Sequence, residues 1–131
     1  VKLEQFVGKR ILLSEDNDLN WEIAEDILSE AGFELERAEN GKVCVEKFTE
    51  SEEGYYDLIL MDIRMPVMNG YEAAEQIRKL ERTDVNLPII AMTADAFSED
   101  IEHCKECGMN EHVSKPIDVD RLIQILSKYL K

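Results

Sequence analysis

The chain has 131 residues and a mass of 15.1 kDa, which predicts one domain with a sizeable core and no need of covalent staples. Its 44% hydrophobic and 34% charged residues are those of a globular protein, not a disordered one. A net charge of −14 opposes contact with nucleic-acid phosphates or anionic lipid, so neither class of partner is expected.

Apolar runs and amphipathic stretches then alternate five times along the chain. Arg10 to Ser14 is a continuous apolar run, as expected of a strand covered on both faces. Leu19 to Ala31 has helical spacing, with Leu19, Ile23, Ile27 and Ala31 on one stripe and Gly32 as its stop. Phe33 to Glu36 alternates apolar and acidic residues, which predicts a half-exposed edge strand. Asn40-Gly41 turns into a second helix through Phe48, and Asp57 to Asp62 reads as a central strand. Asn69-Gly70 opens a helix predicted to reach Leu80, Pro88 to Met92 is the fourth strand, and Ser98 to Cys107 the fourth helix, stopped at Gly108. A short strand at His112 to Ser114 and a strongly periodic helix from Asp118 to Leu130 complete the series.

Five βα units imply a parallel sheet with right-handed crossovers and helices on both faces. The alternating second strand and the polar fifth belong at the edges, giving the flavodoxin-like α/β order 2-1-3-4-5 with its switch point between strands one and three. Both of those strands end in acids: Glu15 and Asp16 after the first, Asp62 after the third. Crowded carboxylates repel one another unless a cation neutralises them, and hard, open oxygen ligands suit Mg²⁺ better than zinc or copper. Thr93 ends strand four and Lys115 follows strand five, so a hydroxyl and an ammonium converge on the same crevice. That set fits phosphoryl transfer, with Asp62 as the attacking carboxylate forming an aspartyl phosphate.

The motifs Ile11-Leu-Leu-Ser-Glu-Asp-Asn, Leu58-Ile-Leu-Met-Asp-Ile-Arg-Met-Pro-Val-Met-Asn-Gly, Ile89-Ile-Ala-Met-Thr-Ala and Val113-Ser-Lys-Pro occur in that order. Together they resemble the receiver domain of two-component signalling, from about Lys9 to Leu130. The resemblance implies a phosphoacceptor domain of a phosphorelay. Asp62 would take a phosphoryl group from a kinase phosphohistidine, and the domain would later catalyse its own dephosphorylation. It also implies Mg²⁺ held by Asp16, Asp62 and the Arg64 main-chain carbonyl, with Glu15 acting through water. Thr93 and Lys115 would bind phosphoryl oxygens, and the Lys115–Pro116 bond is expected cis. Asn17, Asn20 and the segment Met65 to Gly70 look most like receivers of hybrid sensor histidine kinases, a stand-alone response regulator being the alternative. The implied partners are the dimerisation and phosphohistidine domain of a histidine kinase and, as a second candidate, a histidine phosphotransfer domain.

The missing initial Met agrees with a chain cut from a longer one, which places residues 1–8 in a linker remnant and 9–131 in the domain. No apolar run approaches the roughly 18 residues of a membrane-spanning helix. Three Cys, at 44, 104 and 107, suit reduced thiols and a cytoplasmic domain, whose parent protein could still be membrane-anchored.

Three features stand apart from the pattern. His112 occupies a position where receivers often carry Tyr or Phe that swings inward as the threonine moves, so it is either a switch residue or an ordinary edge-strand histidine. Arg64 and Asp95 each follow a site residue by two positions, where receiver side chains tune the phosphoryl lifetime. Cys104-Lys105-Glu106-Cys107 beside His103 lies late in a helix and lacks a second Cys pair, so packing is the expected role. Trp21 is expected on the surface or facing a partner.

Rival readings fare worse. A dehalogenase-like phosphatase needs a second Asp where Arg64 stands, and a flavodoxin phosphate loop would be repelled by Glu15-Asp16-Asn17-Asp18. A receiver-like module that is never phosphorylated conflicts with an intact set of key residues.

Overall fold

The computed structural model describes residues 7–63, 67–93, 98–114 and 119–130. Five strands, β1 (Arg10–Ser14), β2 (Glu34–Ala38), β3 (Leu58–Asp62), β4 (Ile89–Thr93) and β5 (Glu111–Ser114), form one parallel sheet in the order β2-β1-β3-β4-β5. The helices between and after them are α1 (Asp18–Glu30), α2 (Gly41–Glu50), α3 (Gly70–Arg78), α4 (Ser98–Glu106) and α5 (Val119–Tyr129). Strand order and layering are those the sequence implies.

Alternation along the central strands explains the two cores. Ile59, Met61 and Ile63 face one layer, packed with Phe48 of α2, Ala73, Ala74 and Ile77 of α3, and Cys104 of α4. Leu58 and Leu60 face the other, packed with Ala24 and Leu28 of α1 and with Leu122, Ile125 and Leu126 of α5. All five residues of β3 and of β4 are buried, as a continuous apolar run requires of a strand covered on both sides. Each fully buried Leu or Ile in these layers contributes about 1.5–3 kcal/mol.

Caps set the helix boundaries. Asn17, Asn40 and Asn69 are the N-caps of α1, α2 and α3, each side chain accepting from a backbone amide three residues on. Gly32 and Gly108, at φ 100° and 94°, end α1 and α4 in the left-handed conformation. At Gly108 the Met109 amide bonds the Cys104 carbonyl at 2.9 Å and the Gly108 amide the Lys105 carbonyl at 3.1 Å, a Schellman closure.

Several boundaries differ from expectation by one to a few residues, among them those of β2, α3 and α4. β2 starts at Glu34 and runs to Ala38, because its pairing with β1 fixes its length: Arg10 lies opposite Glu34 and Ser14 opposite Ala38. Phe33 is buried ahead of the strand. α3 stops at Arg78, where Lys79 and Leu80 switch to bonds with residues three back, Gln76 and Ile77. α4 ends at Glu106, one residue short. No helix among the described residues is long and apolar enough to cross a membrane.

Candidate active site

The parallel register delivers the site. Ser14 pairs with Met61, and Asp62 with Met92, so β1, β3 and β4 end level with one another. Glu15 and Asp16 leave β1 directly beside the residue that ends β3. Glu15, Asp16 and Asp62 each bring a carboxylate oxygen within 4.8 Å of the others. Glu15 and Asp62 are buried, at 2% and 5% exposure, while Asp16 opens to solvent. Two buried acids and one exposed acid make a pocket of hard oxygen ligands with an open side, the donor set that fits Mg²⁺. Thr93, 5% exposed, lies one residue beyond the position opposite Asp62.

The loops around the acids are held from several sides. The Glu15 amide bonds the Ala38 carbonyl at 2.9 Å, and the Asn17 amide bonds the Glu15 carboxylate at 3.3 Å. Arg37 donates to the Glu15 carbonyl at 3.1 Å and pairs with Asp18 at 2.9 Å, which brings one cation to the crevice rim. Ser14 donates its hydroxyl to the Asn40 carbonyl at 3.4 Å, joining β1 to the start of α2.

Two glycines that read only as turn residues prove to be positioning residues. A Cβ on Gly70 would lie 2.5 Å from the Asp62 carbonyl oxygen and 2.9 Å from the Ile63 Cα. The Gly70 amide instead bonds the Ile63 carbonyl at 2.9 Å, seating the start of α3 on the strand end that carries Asp62. A Cβ on Gly41 would lie 2.3 Å from the Met68 carbonyl oxygen, which accepts from the Gly41 amide at 3.1 Å. The first residue of α2 therefore clasps the loop between β3 and α3. Within that loop Val67 sits at φ 69°, the non-glycine residue with positive φ among the described residues. For a β-branched residue that conformation costs about 1–3 kcal/mol. The sequence marks these places only by its two Asn-Gly pairs, which do not disclose what each glycine touches.

The remaining expectations sort as follows. Arg64, Asp95, Lys115 and the Lys115–Pro116 bond lie outside the described residues. His112 is half-buried in β5, opposite Ala91 of β4, and lines a cavity of about 130 Å³ with Cys104, Lys105, Met109, Asn110 and Glu111. Cys104 and Cys107 are buried and form no disulfide. Burial, followed by the Glu75 carboxylate whose oxygen lies 3.6 Å from its sulfur, pushes Cys107 up to about 11. Such a thiol is protonated and inert at neutral pH, which agrees with a packing role. Trp21 is half-buried, lying at the surface with one side packed against the α1–α5 core and the Arg37 guanidinium 5.7 Å from its ring.

Known proteins share this arrangement. The family model for the response regulator receiver domain matches residues 11–127. The hybrid signal transduction histidine kinase M of Dictyostelium discoideum is 44% identical over 120 residues, covering 90% of this chain but 5% of that protein. The receiver domain of a sensor histidine kinase from Pseudomonas aeruginosa PAO1, crystallised with magnesium coordinated in its active-site cleft, superposes with a TM-score of 0.84 at 37% identity, covering 94% of this chain and 98% of that one. A chain in the co-crystal structure of the Saccharomyces cerevisiae phosphotransfer protein Ypd1 with the Ssk1 receiver domain gives 0.83 at 27%, covering 96% and 91%. With five parallel strands in the order 2-1-3-4-5 and acids gathered where β1 and β3 end, the chain belongs to the response regulator receiver domain family.

Proposed function

We propose that this domain accepts a phosphoryl group on Asp62 from a protein phosphohistidine and later releases it as inorganic phosphate. The observation that carries the reading is the meeting of Glu15, Asp16 and Asp62 within 4.8 Å, with Asp62 ending the buried central strand. An Asp62 carboxylate oxygen forms the new O–P bond as the N–P bond of the phosphohistidine breaks, and the imidazole leaves. Water later cleaves the acyl phosphate and regenerates the carboxylate. Asp16, Asp62 and the Arg64 main-chain carbonyl would hold Mg²⁺ directly, with Glu15 acting through water. Bound there, Mg²⁺ offsets the negative charge of the carboxylates and the incoming phosphoryl group. Lys115 would pair with a phosphoryl oxygen, and Thr93 would donate its hydroxyl to another. Residues 9–131 would form the receiver, with 1–8 a linker remnant.

The parent protein is read as a hybrid histidine kinase, the kind to which the Dictyostelium relative belongs. Its phosphodonor would then be a histidine kinase domain or a phosphotransfer protein comparable to Ypd1. The cavity beside His112 supports a switch role, since the imidazole has space to move into as Thr93 shifts. Arg64 and Asp95 would tune the phosphoryl lifetime from the crevice mouth.

Intact mass after incubation with acetyl phosphate tests the chemistry. One Mg²⁺-dependent phosphoryl group is expected on the parent and none on Asp62→Asn. Equal labelling of the two would mean that another residue is the nucleophile. If neither acetyl phosphate nor a phosphorylated histidine donor labels the parent, the domain is an interaction module.

A further inference from the structure

The alternation of β2 breaks at Arg37. Leu35 packs against the core that α1 and α5 share, and a strand turns every second residue to the same face. Position 37 therefore lies on a face where burial calls for an apolar side chain. Register agrees, since Arg37 lies opposite Leu13, which is wholly buried in that core. The chain instead places a guanidinium there, with its side chain only 22% exposed.

Three partners of that guanidinium lie within residues 15–21, the segment that leaves β1 and enters α1. Nε donates to the Glu15 carbonyl at 3.1 Å, and Nη1 meets the Asp18 carboxylate at 2.9 Å. The central carbon stands 5.7 Å from the Trp21 ring centroid. The pair with Asp18 adds little stability, because that carboxylate is 87% exposed. The Glu15 carbonyl is the informative partner. It belongs to the peptide group that joins Glu15 to Asp16, and the amide on the other side of Glu15 is held by the Ala38 carbonyl at 2.9 Å. β2 thus grips Glu15 from both sides and fixes the peptide from which Asp16 springs. Asp16 itself opens to solvent, so its backbone has to aim it.

We infer that Arg37 is a positioning residue for the metal: its fork holds the segment from Glu15 to Asp18 so that Asp16 meets Glu15 and Asp62 around one divalent cation. This rests on the reading of the three acids as a Mg²⁺ site. Charge and geometry predict opposite signs for its removal. A fixed positive charge beside an acidic cluster weakens the hold on a cation, so on charge alone its loss would tighten binding. A clamp spares the segment the cost of ordering when the metal arrives, so its loss would loosen binding. The planar fork, spent on two acceptors three positions apart, favours the clamp.

Calorimetric titration with Mg²⁺ tests this on the parent, Arg37→Met, Arg37→Lys and Asp16→Asn, beside thermal midpoints taken without metal. Methionine keeps an unbranched stem against α1, so the metal-free midpoint of Arg37→Met should stay close to the parent's. Its Kd for Mg²⁺ should rise about tenfold, the low end of what losing a group that supports a ligand costs. Arg37→Lys keeps the charge but not the fork, and should bind Mg²⁺ about as weakly as Arg37→Met. A Kd in Arg37→Met equal to or below the parent's would overturn the clamp. Should that variant not fold, Arg37→Lys decides alone, and parental affinity there would overturn it equally. A parent that binds no Mg²⁺, or binds it no better than Asp16→Asn, would instead bring down the metal reading of the three acids.

Discussion

The two edges of the sheet treat charge in opposite ways. At the N-terminal edge, arginines are matched almost donor for donor. Arg10 pairs with Glu34 at 3.1 Å and lies 3.9 Å above the Tyr55 ring, and its amide bonds the Asp57 carboxylate at 2.8 Å. Arg82 holds both oxygens of Asp84 at 2.9 Å and caps the end of α2 through the Phe48 carbonyl. Arg78 spends its guanidinium on the carbonyls of Gly108, Val85 and Leu87 and on the Asn110 side chain. At the C-terminal edge, three carboxylates are gathered within 4.8 Å, with Arg37 at the rim holding a neighbouring carbonyl and Asp18. One edge closes the fold; the other keeps like charges together, the arrangement that the proposed phosphoacceptor role requires.

The largest expected effect lies at the closed edge. Arg78→Ala would leave partly buried carbonyls of the α3–β4 and α4–β5 connections without their donor, and an unsatisfied buried group costs about 1–3 kcal/mol. A loss of about 3–4 kcal/mol is expected, read as a fall in urea midpoint at unchanged slope. The same variant should keep the Mg²⁺ dependence of acetyl phosphate labelling, because none of its partners touches the acidic crevice. Loss of that dependence at full occupancy of the folded state would mean that the two edges are not separable.

A smaller effect at the open edge should change sign with metal. Without Mg²⁺, Asp16→Asn removes one of three mutually repelling carboxylates and is expected to raise stability by about 0.5–1 kcal/mol, within the range for exposed charge interactions. With Mg²⁺ in excess, the parent gains binding free energy, about 2.7 kcal/mol at a hundred times Kd, and the variant gains much less. Thermal melts of both proteins with and without Mg²⁺ would show the order of midpoints reversing. Parallel shifts in the two proteins would mean that Asp16 is not a ligand.

The same contrast governs how much could be read in advance. Strand order was legible because burial on both faces writes continuous apolar runs, at Arg10 to Ser14 and Asp57 to Asp62, while edge strands do not. The acidic cluster was legible because a parallel sheet of this order brings the ends of β1 and β3 together whatever lies between them. The limits of β2 were not, since its partner fixes them and the alternation of Phe33 to Glu36 carries no register. Nor were the roles of Gly41 and Gly70, which depend on approach to Met68 and Asp62 across 27 and 8 positions of chain. Val67 gave no signal at all, because a β-branched residue is one that local propensity disfavours in left-handed backbone.

The smallest expected effect tests whether charge at the closed edge is matched for stability. Asp84 is pulled two ways: burial raises its carboxyl, but hydrogen bonds from Arg82 and from the Gly54 amide, with the Arg82 charge, together hold it below the ordinary value of 3.8. Its folded-state pKa is therefore depressed relative to the unfolded chain. The contribution is fully present above the unfolded value and is lost as pH falls through the folded one, so the window lies below about pH 4. Between pH 5 and 3 the parent should lose stability more steeply than Asp84→Asn, which is less stable at neutral pH but lacks this titration. Urea midpoints measured across that window decide it. Matching slopes would mean that the Arg82–Asp84 pair, although 11% and 12% exposed, is set by the geometry of the α3–β4 loop and adds no proton linkage of its own.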